Sequence, residues 1–438
     1  MDSLKWLYPG MHVKRWLLLL LLGVIFLGLG TAYAITNVYR EQPFPEWVGT
    51  ITLQFVPRLV RAALFLVLGV GVAVYAFARL GKSLLSAFVP LGREDKIIDI
   101  VYQKRLLSRG PKVVCIGGGT GLSTLLRGMK EYTSNITAIV TVADNGGSSG
   151  RLRVDFGLPP PGDFRQCIAA LADAEPLMTK LFQYRFNGGS GLEGHSFGNL
   201  FIVAMSDITG NFERAIRESS RVLAVRGQIL PSTLANLDLA AETEELGLVE
   251  GESEIGHTGK GRIKRVFLQP SHPAAYPEAL RAILQADLIV VGPGSLYTSV
   301  LPNLLVDDIA RAIRASNSPK VYVCNVATQA GETDDFHVSD HLQVLTDHVG
   351  FQLFDYMLVN NNPNAVLPAH AHVRPVEING DLSKADAMGV RVVLADLVNP
   401  ENGLRHEPKK LAASLMRIYY DRSQSATAKP RELTQLGA

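Results

Sequence analysis

Five short stretches of this 438-residue chain carry the residue types that could do chemistry. The first, Gly117-Gly118-Gly119-Thr120-Gly121, follows an apolar run and opens a helical one. Glycine lets a backbone approach a phosphate, and a helix N-terminus adds free N–H groups and a positive dipole end. Leu122 stands where a dinucleotide fingerprint needs its last glycine, and no Gly-Lys-Ser/Thr follows for a Walker loop. The second stretch is Asp144-Asn145-Gly146-Gly147-Ser148-Ser149-Gly150-Arg151, a polar cup whose Asp144 sits where α/β folds place a carboxylate for a ribose or a metal. Asp163 and Arg165 follow in Pro161-Gly162-Asp163-Phe164-Arg165. Asp144 and Asp163 together would suit Mg²⁺, a hard cation that also bridges phosphates.

The third stretch, His195-Ser196-Phe197-Gly198-Asn199, offers a histidine without a nucleophile elbow or triad, so serine catalysis is not expected. The fourth, Gly292-Pro293-Gly294-Ser295-Leu296-Tyr297-Thr298-Ser299, repeats the logic of the first. Two such loops on neighbouring strands could hold the two ends of one diphosphate ligand. In the fifth, Asn325, Thr328 and Gln329 can read a base or sugar hydroxyls.

The elements that must position these loops are visible as alternating runs. Val113–Ile116, Leu122–Tyr132 and Ile136–Ala143 read as a β-α-β unit, which implies parallel strands and a right-handed crossover. Ala286–Val291, Val321–Val326 and Tyr356–Val359 repeat the strand pattern, with helical stretches Pro277–Gln285 and Val306–Ser316 between them. The expected fold is a Rossmann-like doubly wound parallel α/β sheet, with ligands at the carboxyl ends of its strands. Val225–Leu230, Leu237–Ala241, Glu252–Ile255 and Arg262–Leu268 read as short strands of a β-rich excursion.

Two uncharged apolar runs precede this body, Trp16–Tyr39 and Ala62–Ala78. They predict a membrane anchor over residues 1–92 with two transmembrane helices, about 16–36 and 59–78. Lys5, Lys14 and Arg15 before the first run, and Arg79, Lys82, Arg93 and Lys96 after the second, place both ends in the cytoplasm. The expectation is therefore a multi-pass inner-membrane protein with its large C-terminal part in the cytosol, in contact with the lipid bilayer. Residues 93–110 read as a connector, 111–420 as the α/β domain and 421–438 as a polar tail.

Lys+Arg of 43 against Asp+Glu of 41 gives a net charge of +2, which argues against a nucleic-acid coat. Hydrophobic residues at 47% exclude disorder as the dominant state. Cys115, Cys167 and Cys324 are far apart and form no CxxC pair, which fits free thiols in a reducing compartment.

The blocks GGGTGLS, DNGGSSGRLR, GDFRQC, HSFGN, GESEI, GPGSLYTS and CNVATQAGETD, in this order, resemble the YvcK/CofD family. The long DNGGSSGRLR and TQAGETD blocks are closer to the YvcK-like branch, the gluconeogenesis-factor group. The resemblance implies a nucleotide-diphosphate ligand, for this branch a UDP-sugar such as UDP-N-acetylglucosamine. It also implies a role in cell shape and peptidoglycan precursor supply during gluconeogenic growth, with an envelope-synthesis protein as partner and no established reaction. The CofD branch implies instead a Mg²⁺-dependent transfer of a 2-phospholactate-type group to a deazaflavin, with Asp144 and Asp163 standing at the metal. The N-terminal apolar segment departs from the family pattern. A homo-oligomer is left open.

Overall fold

The computed structural model describes residues 22–26, 28, 31–32, 50, 53, 55–86, 105–173, 176–189, 191–257, 262–362, 373–378 and 382–427. These fall into two compact units, divided between Leu106 and Leu107.

In the first unit a helix runs over Arg58–Ser86. Its side chains at Leu59, Leu66, Val67 and Val74 are exposed. The second expected span, about 59–78, is corrected here. Most of residues 16–36 lies outside the described residues, and among those described no helix is long and apolar enough to cross a membrane. The physical reason in the second run is charge. Arg61 and Arg79 bound the uncharged stretch, which at 1.5 Å per residue reaches about 26 Å, short of the ~30 Å hydrocarbon core.

Among the described residues the second unit contains twelve strands: β1 (Val113–Gly117), β2 (Ile136–Val140), β3 (Gln228–Pro231), β4 (Asp238–Thr243), β5 (Gly247–Glu250), β6 (Ile263–Gln269), β7 (Leu288–Val291), β8 (Lys320–Val323), β9 (Tyr356–Asn360), β10 (Arg391–Ala395), β11 (Val398–Asn399) and β12 (Asn402–His406). Seven form one sheet in the order β10-β9-β8-β7-β1-β2-β3, parallel at every junction. Every residue of β1, β2 and β7 is buried, so these strands are continuous apolar runs rather than alternating ones.

The chain starts in mid-sheet, builds outward through β2 to β3, then returns to place β7 on the other side of β1. Right-handed crossovers running in opposite directions put their helices on opposite faces. The strand order therefore reverses at β1/β7, and there a crevice opens at the carboxyl ends. The helix Gly119–Met129 packs against Pro161–Leu171 and the C-terminal Pro408–Thr427. That last helix runs past Tyr420, so part of the expected tail is structured.

Two strand expectations need correction. Val225–Leu230 does not belong to the excursion: β3 extends the main sheet, with Ala138 paired to Ile229. Glu252–Ile255 is helical, within Glu252–His257. Gly251, at φ +98°, turns the chain out of extended geometry directly before it. The excursion is the antiparallel sheet β5-β4-β6. All three cysteines are free, and all are buried.

Candidate functional site

Both glycine loops emerge at the β1/β7 crevice and meet back to back. A Cβ on Gly121 would stand 2.3 Å from the Pro293 carbonyl oxygen, so glycine is required there for loop packing. Gly292 N–H donates to the Ile116 carbonyl at 2.9 Å and fixes where the second loop leaves the sheet. Gly119 has φ +60°, a left-handed conformation that glycine adopts without strain. The cleft between the loops has a volume of about 680 Å³.

Two carboxylates form its floor. Asp163, in the first turn of Pro161–Leu171, is buried against Gly118, where a Cβ would stand 2.6 Å from its Oδ2. Asp144 Oδ1 accepts from Gly146 N–H at 2.9 Å. Its Oδ2 faces Gly162, where a Cβ would come within 3.0 Å. Burial first, and then the neighbouring Asp144 charge, push Asp163 up to about 7, although the Gly119 N–H and Arg165 oppose this. Burial also raises Asp144.

Two further acids enter from distant sequence. Glu332 accepts from Tyr297 N–H and Thr298 Oγ1, each at 3.3 Å, and burial pushes it up to about 7. Glu252 is pushed up to about 8 by burial and then by Asp144, Asp163 and Glu332. It reaches the cleft from the excursion. Among the described residues that line the cleft, the one Lys or Arg is Arg405, at the end of β12. His406 beside it is buried and held near 4 by burial, so it is neutral; its Nε2 donates to the Cys324 carbonyl at 3.1 Å.

A side-chain chain latches the fifth stretch to the fourth. Asn325 Nδ2 donates to the Gly294 carbonyl at 2.9 Å and to Gln329 Oε1 at 3.0 Å, and Gln329 Nε2 donates to Ser295 Oγ at 2.7 Å. Ser295 is followed by a single wide helical turn, Leu296–Val300.

The structure brings Gly118, Gly119, Thr120, Gly121, Asp144, Asp163, Gly294, Ser295, Asn325, Thr328 and Gln329 to this cleft. Other expected site residues stand elsewhere. Gly117 ends β1 and Gly292 follows β7, behind the lining. Leu296 and Tyr297 are core. Gly146 caps the helix Gly147–Phe156. Asn145 accepts from Ser253 N–H at 2.8 Å, tying the excursion's helix to the Asp144 loop instead of addressing a ligand. Arg165 Nε donates to Asn199 Oδ1 at 2.9 Å, Asn199 Nδ2 donates to Ser148 Oγ at 3.0 Å, and Ser148 meets His195 Nδ1 at 3.0 Å. That buried network supports the Asp144 loop from behind. Asn145, Gly147, Ser148 and Arg151 line a second cavity. Sequence reading missed Glu252, Glu332 and Arg405 as cleft residues. The GESEI block was a signal for Glu252, but a strand assignment hid it.

Among the described residues no group of three or more His, Cys, Asp or Glu side chains is disposed around one metal position. Mg²⁺ needs only one or two carboxylates when ligand phosphates and water complete its shell. Asp144 and Asp163, buried oxygen donors whose charges oppose each other, fit that requirement.

Residues 113–398 match the family described as 2-phospho-L-lactate transferase CofD. A gluconeogenesis factor from Bacillus subtilis is 48% identical over 315 residues, covering 71% of this chain and 98% of its own. The chain belongs to the YvcK/CofD family. A gluconeogenesis-factor relative from Nostoc is 48% identical over 424 residues, 95% of this chain and 92% of its own, so the N-terminal segment also has counterparts in the family. The crystal structure of a Bacillus halodurans protein superposes with a TM-score of 0.67 at 48% identity, covering 70% of this chain and all of that one. Those relatives support the parallel α/β body and place this chain among the gluconeogenesis factors and CofD homologues.

Proposed function

We propose that the cleft binds a nucleotide diphosphate, a UDP-sugar such as UDP-N-acetylglucosamine, and that binding regulates envelope-precursor metabolism during gluconeogenic growth. The observation that carries the reading is the junction of two glycine loops at the β1/β7 reversal, with Arg405 lining the same cleft. Helix N-terminal N–H groups and Arg405 supply the positive end for a diphosphate. Asn325, Thr328 and Gln329 supply polar groups for the base or sugar. The gluconeogenesis-factor names of the relatives support the metabolic setting. Ligand binding would act by population shift, favouring one state of the chain toward an envelope-synthesis partner.

A diphosphate meeting four carboxylates needs compensating positive charge, which favours Mg²⁺ at Asp144 and Asp163. Bound there, the ion would neutralise the diphosphate and polarise its phosphoryl oxygens. This opposed acid pair also supports a second reading, a CofD-like transferase moving a 2-phospholactate-type group to a deazaflavin. In both readings Asn325 and Gln329 hold the fourth and fifth loops together, and Glu332 fixes the turn after Ser295.

The first unit is proposed to keep the protein at the inner membrane with the α/β domain in the cytoplasm. Exposed Leu59, Leu66 and Val67 support contact with lipid. Calorimetry with UDP-N-acetylglucosamine, UDP and GDP, with and without Mg²⁺, tests the ligand. Heat with uridine nucleotides alone supports the regulator, and no heat with any of them removes it. Turnover with a deazaflavin acceptor would decide for the transferase.

A further inference from the structure

A second cavity, of about 1090 Å³, lies on the other side of the Asp144 loop. It is built where the N-terminus of the ten-residue helix Gly147–Phe156 faces the turn at Glu193–Gly194. Three arginines line it. Arg153 is buried and its charge is answered: Nε donates to Asn236 Oδ1 at 3.0 Å, and Nη2 pairs with Asp238 at 2.9 Å. Its Nη1 is buried without a hydrogen-bond partner.

Arg151 and Arg185 are different. Arg151 Nη2 donates to the Glu193 carbonyl at 2.9 Å, and Arg185 Nη1 donates to the next carbonyl, that of Gly194. Two guanidinium groups are thus held on successive residues of one turn. Among the described residues neither forms an ion pair with a carboxylate. Gly194 has φ +78°, and a Cβ there would stand 3.0 Å from Arg151 Nη2, so the turn leaves room for that guanidinium. Asp155 and Asp238 also line the cavity; Asp238 is taken by Arg153, which leaves Asp155 alone against the two guanidinium groups.

The buried wall carries a hydroxyl as well. Ser148 Oγ is fixed by Asn199 and His195 and lines the same cavity. Burial first, then Arg151 and Arg185, lower His195, while Asp155 opposes them. Two guanidinium groups held at one turn, beside helix N–H groups, are the chemistry of phosphate recognition.

We propose that this cavity is a second subsite, taking the phosphate of a phosphorylated small molecule between Arg151 and Arg185. The volume exceeds what inorganic phosphate needs, so a phosphomonoester is the expected occupant. The inference does not rest on the nucleotide reading, because the two cavities use different cations.

The test is calorimetry on the full chain with inorganic phosphate, glycerol phosphate and glycerol. Glycerol phosphate should bind, glycerol should not, and inorganic phosphate should bind more weakly. Arg151→Met and Arg185→Met should each weaken glycerol phosphate binding at least tenfold with an unchanged melting temperature. Arg405→Met, in the first cleft, should leave it unchanged. Should Arg185→Met fail to fold, the solvent-facing Arg151→Met decides. Equal binding by wild type and both arginine variants overturns the proposal, as does loss of binding in Arg405→Met or no phosphate-dependent heat at all. Uridine nucleotide titrations in the same samples report separately on the first cleft.

Discussion

Gly118 has an extended backbone that any residue could adopt, so its requirement is one of space. A Cβ would lie 2.6 Å from Asp163 Oδ2 and 2.7 Å from Thr141 Cγ2. Gly118→Ala should push Asp163 off the Gly119 N–H, cost about 1–3 kcal/mol of stability, and weaken nucleotide binding at least tenfold. Chemical denaturation and calorimetry measure the two effects; wild-type affinity in a folded variant would take Asp163 out of the site. The acids themselves predict an unusual pH dependence. Asp163 and Glu332 titrate near 7 and Glu252 near 8, against ordinary values of 3.8 and 4.5. The folded state then binds protons that the unfolded chain has released. Their stabilising contribution is fully present below about pH 4 and is lost as pH rises through 7 to 8. The ligand-free protein should therefore melt at lower temperature at about pH 8.5 than at about pH 6. Mg²⁺ should offset the fall, and Asp163→Asn should flatten it. A melting temperature independent of pH would mean that the carboxylates are ionised throughout.

The glycine loops after β1 and β7 were legible because each is a run of small residues between an apolar strand and a helix, and neighbouring strands bring such loops together. Glu252, Glu332 and Arg405 were not legible as one cluster. They arrive from the excursion, from the loop after β8 and from β12, and no local pattern joins them. Asn145 misled for a related reason: its polar side chain is spent on Ser253, which lies 108 residues away in sequence. The C-terminal helix shows the same dependence on distant packing. Gly128 lies so close to Pro408 that a Cβ would stand 2.0 Å from its carbonyl oxygen, and Leu411, Ala412 and Leu415 are fully buried. The helix Pro408–Thr427 thus closes over the helix that carries the first glycine loop. Leu415→Ala should cost about 2–5 kcal/mol in chemical denaturation. Truncation after Glu407 should leave the body unable to fold cooperatively. A cooperative transition of unchanged midpoint in the truncated chain would show that this helix is not part of the core.

The division of the chain between Leu106 and Leu107 separates two different surfaces. On the first unit, Leu59 is 87% exposed and Val67 70%, along the helix Arg58–Ser86, and among the described residues of this unit no apolar side chain is buried. On the second, the knitting begins at once. The Leu107 carbonyl accepts from Gly110 N–H at 3.1 Å and from Ser134 N–H at 3.0 Å, and the Thr133 hydroxyl donates to the Pro111 carbonyl at 2.9 Å. A cut beyond Leu107 would break these bonds, whereas removal of residues 1–92 spares all of them. Domain boundaries fall where few contacts cross, and here the α/β unit carries its own central strand from Val113 onward. The chain beginning at Arg93 should therefore express as a folded protein, leave the membrane fraction at physiological salt and bind the uridine nucleotide with wild-type affinity. Connector residues Lys96, Lys104, Arg105 and Arg109 can still attract anionic lipid, at about 1 kcal/mol each near the surface, so any residual association should vanish in high salt. Fractionation at two salt concentrations, followed by calorimetry, reads both parts. Aggregation of the truncated chain, or loss of nucleotide binding with it, would make the first 92 residues part of the fold. A soluble full-length protein would instead take the bilayer out of the proposal.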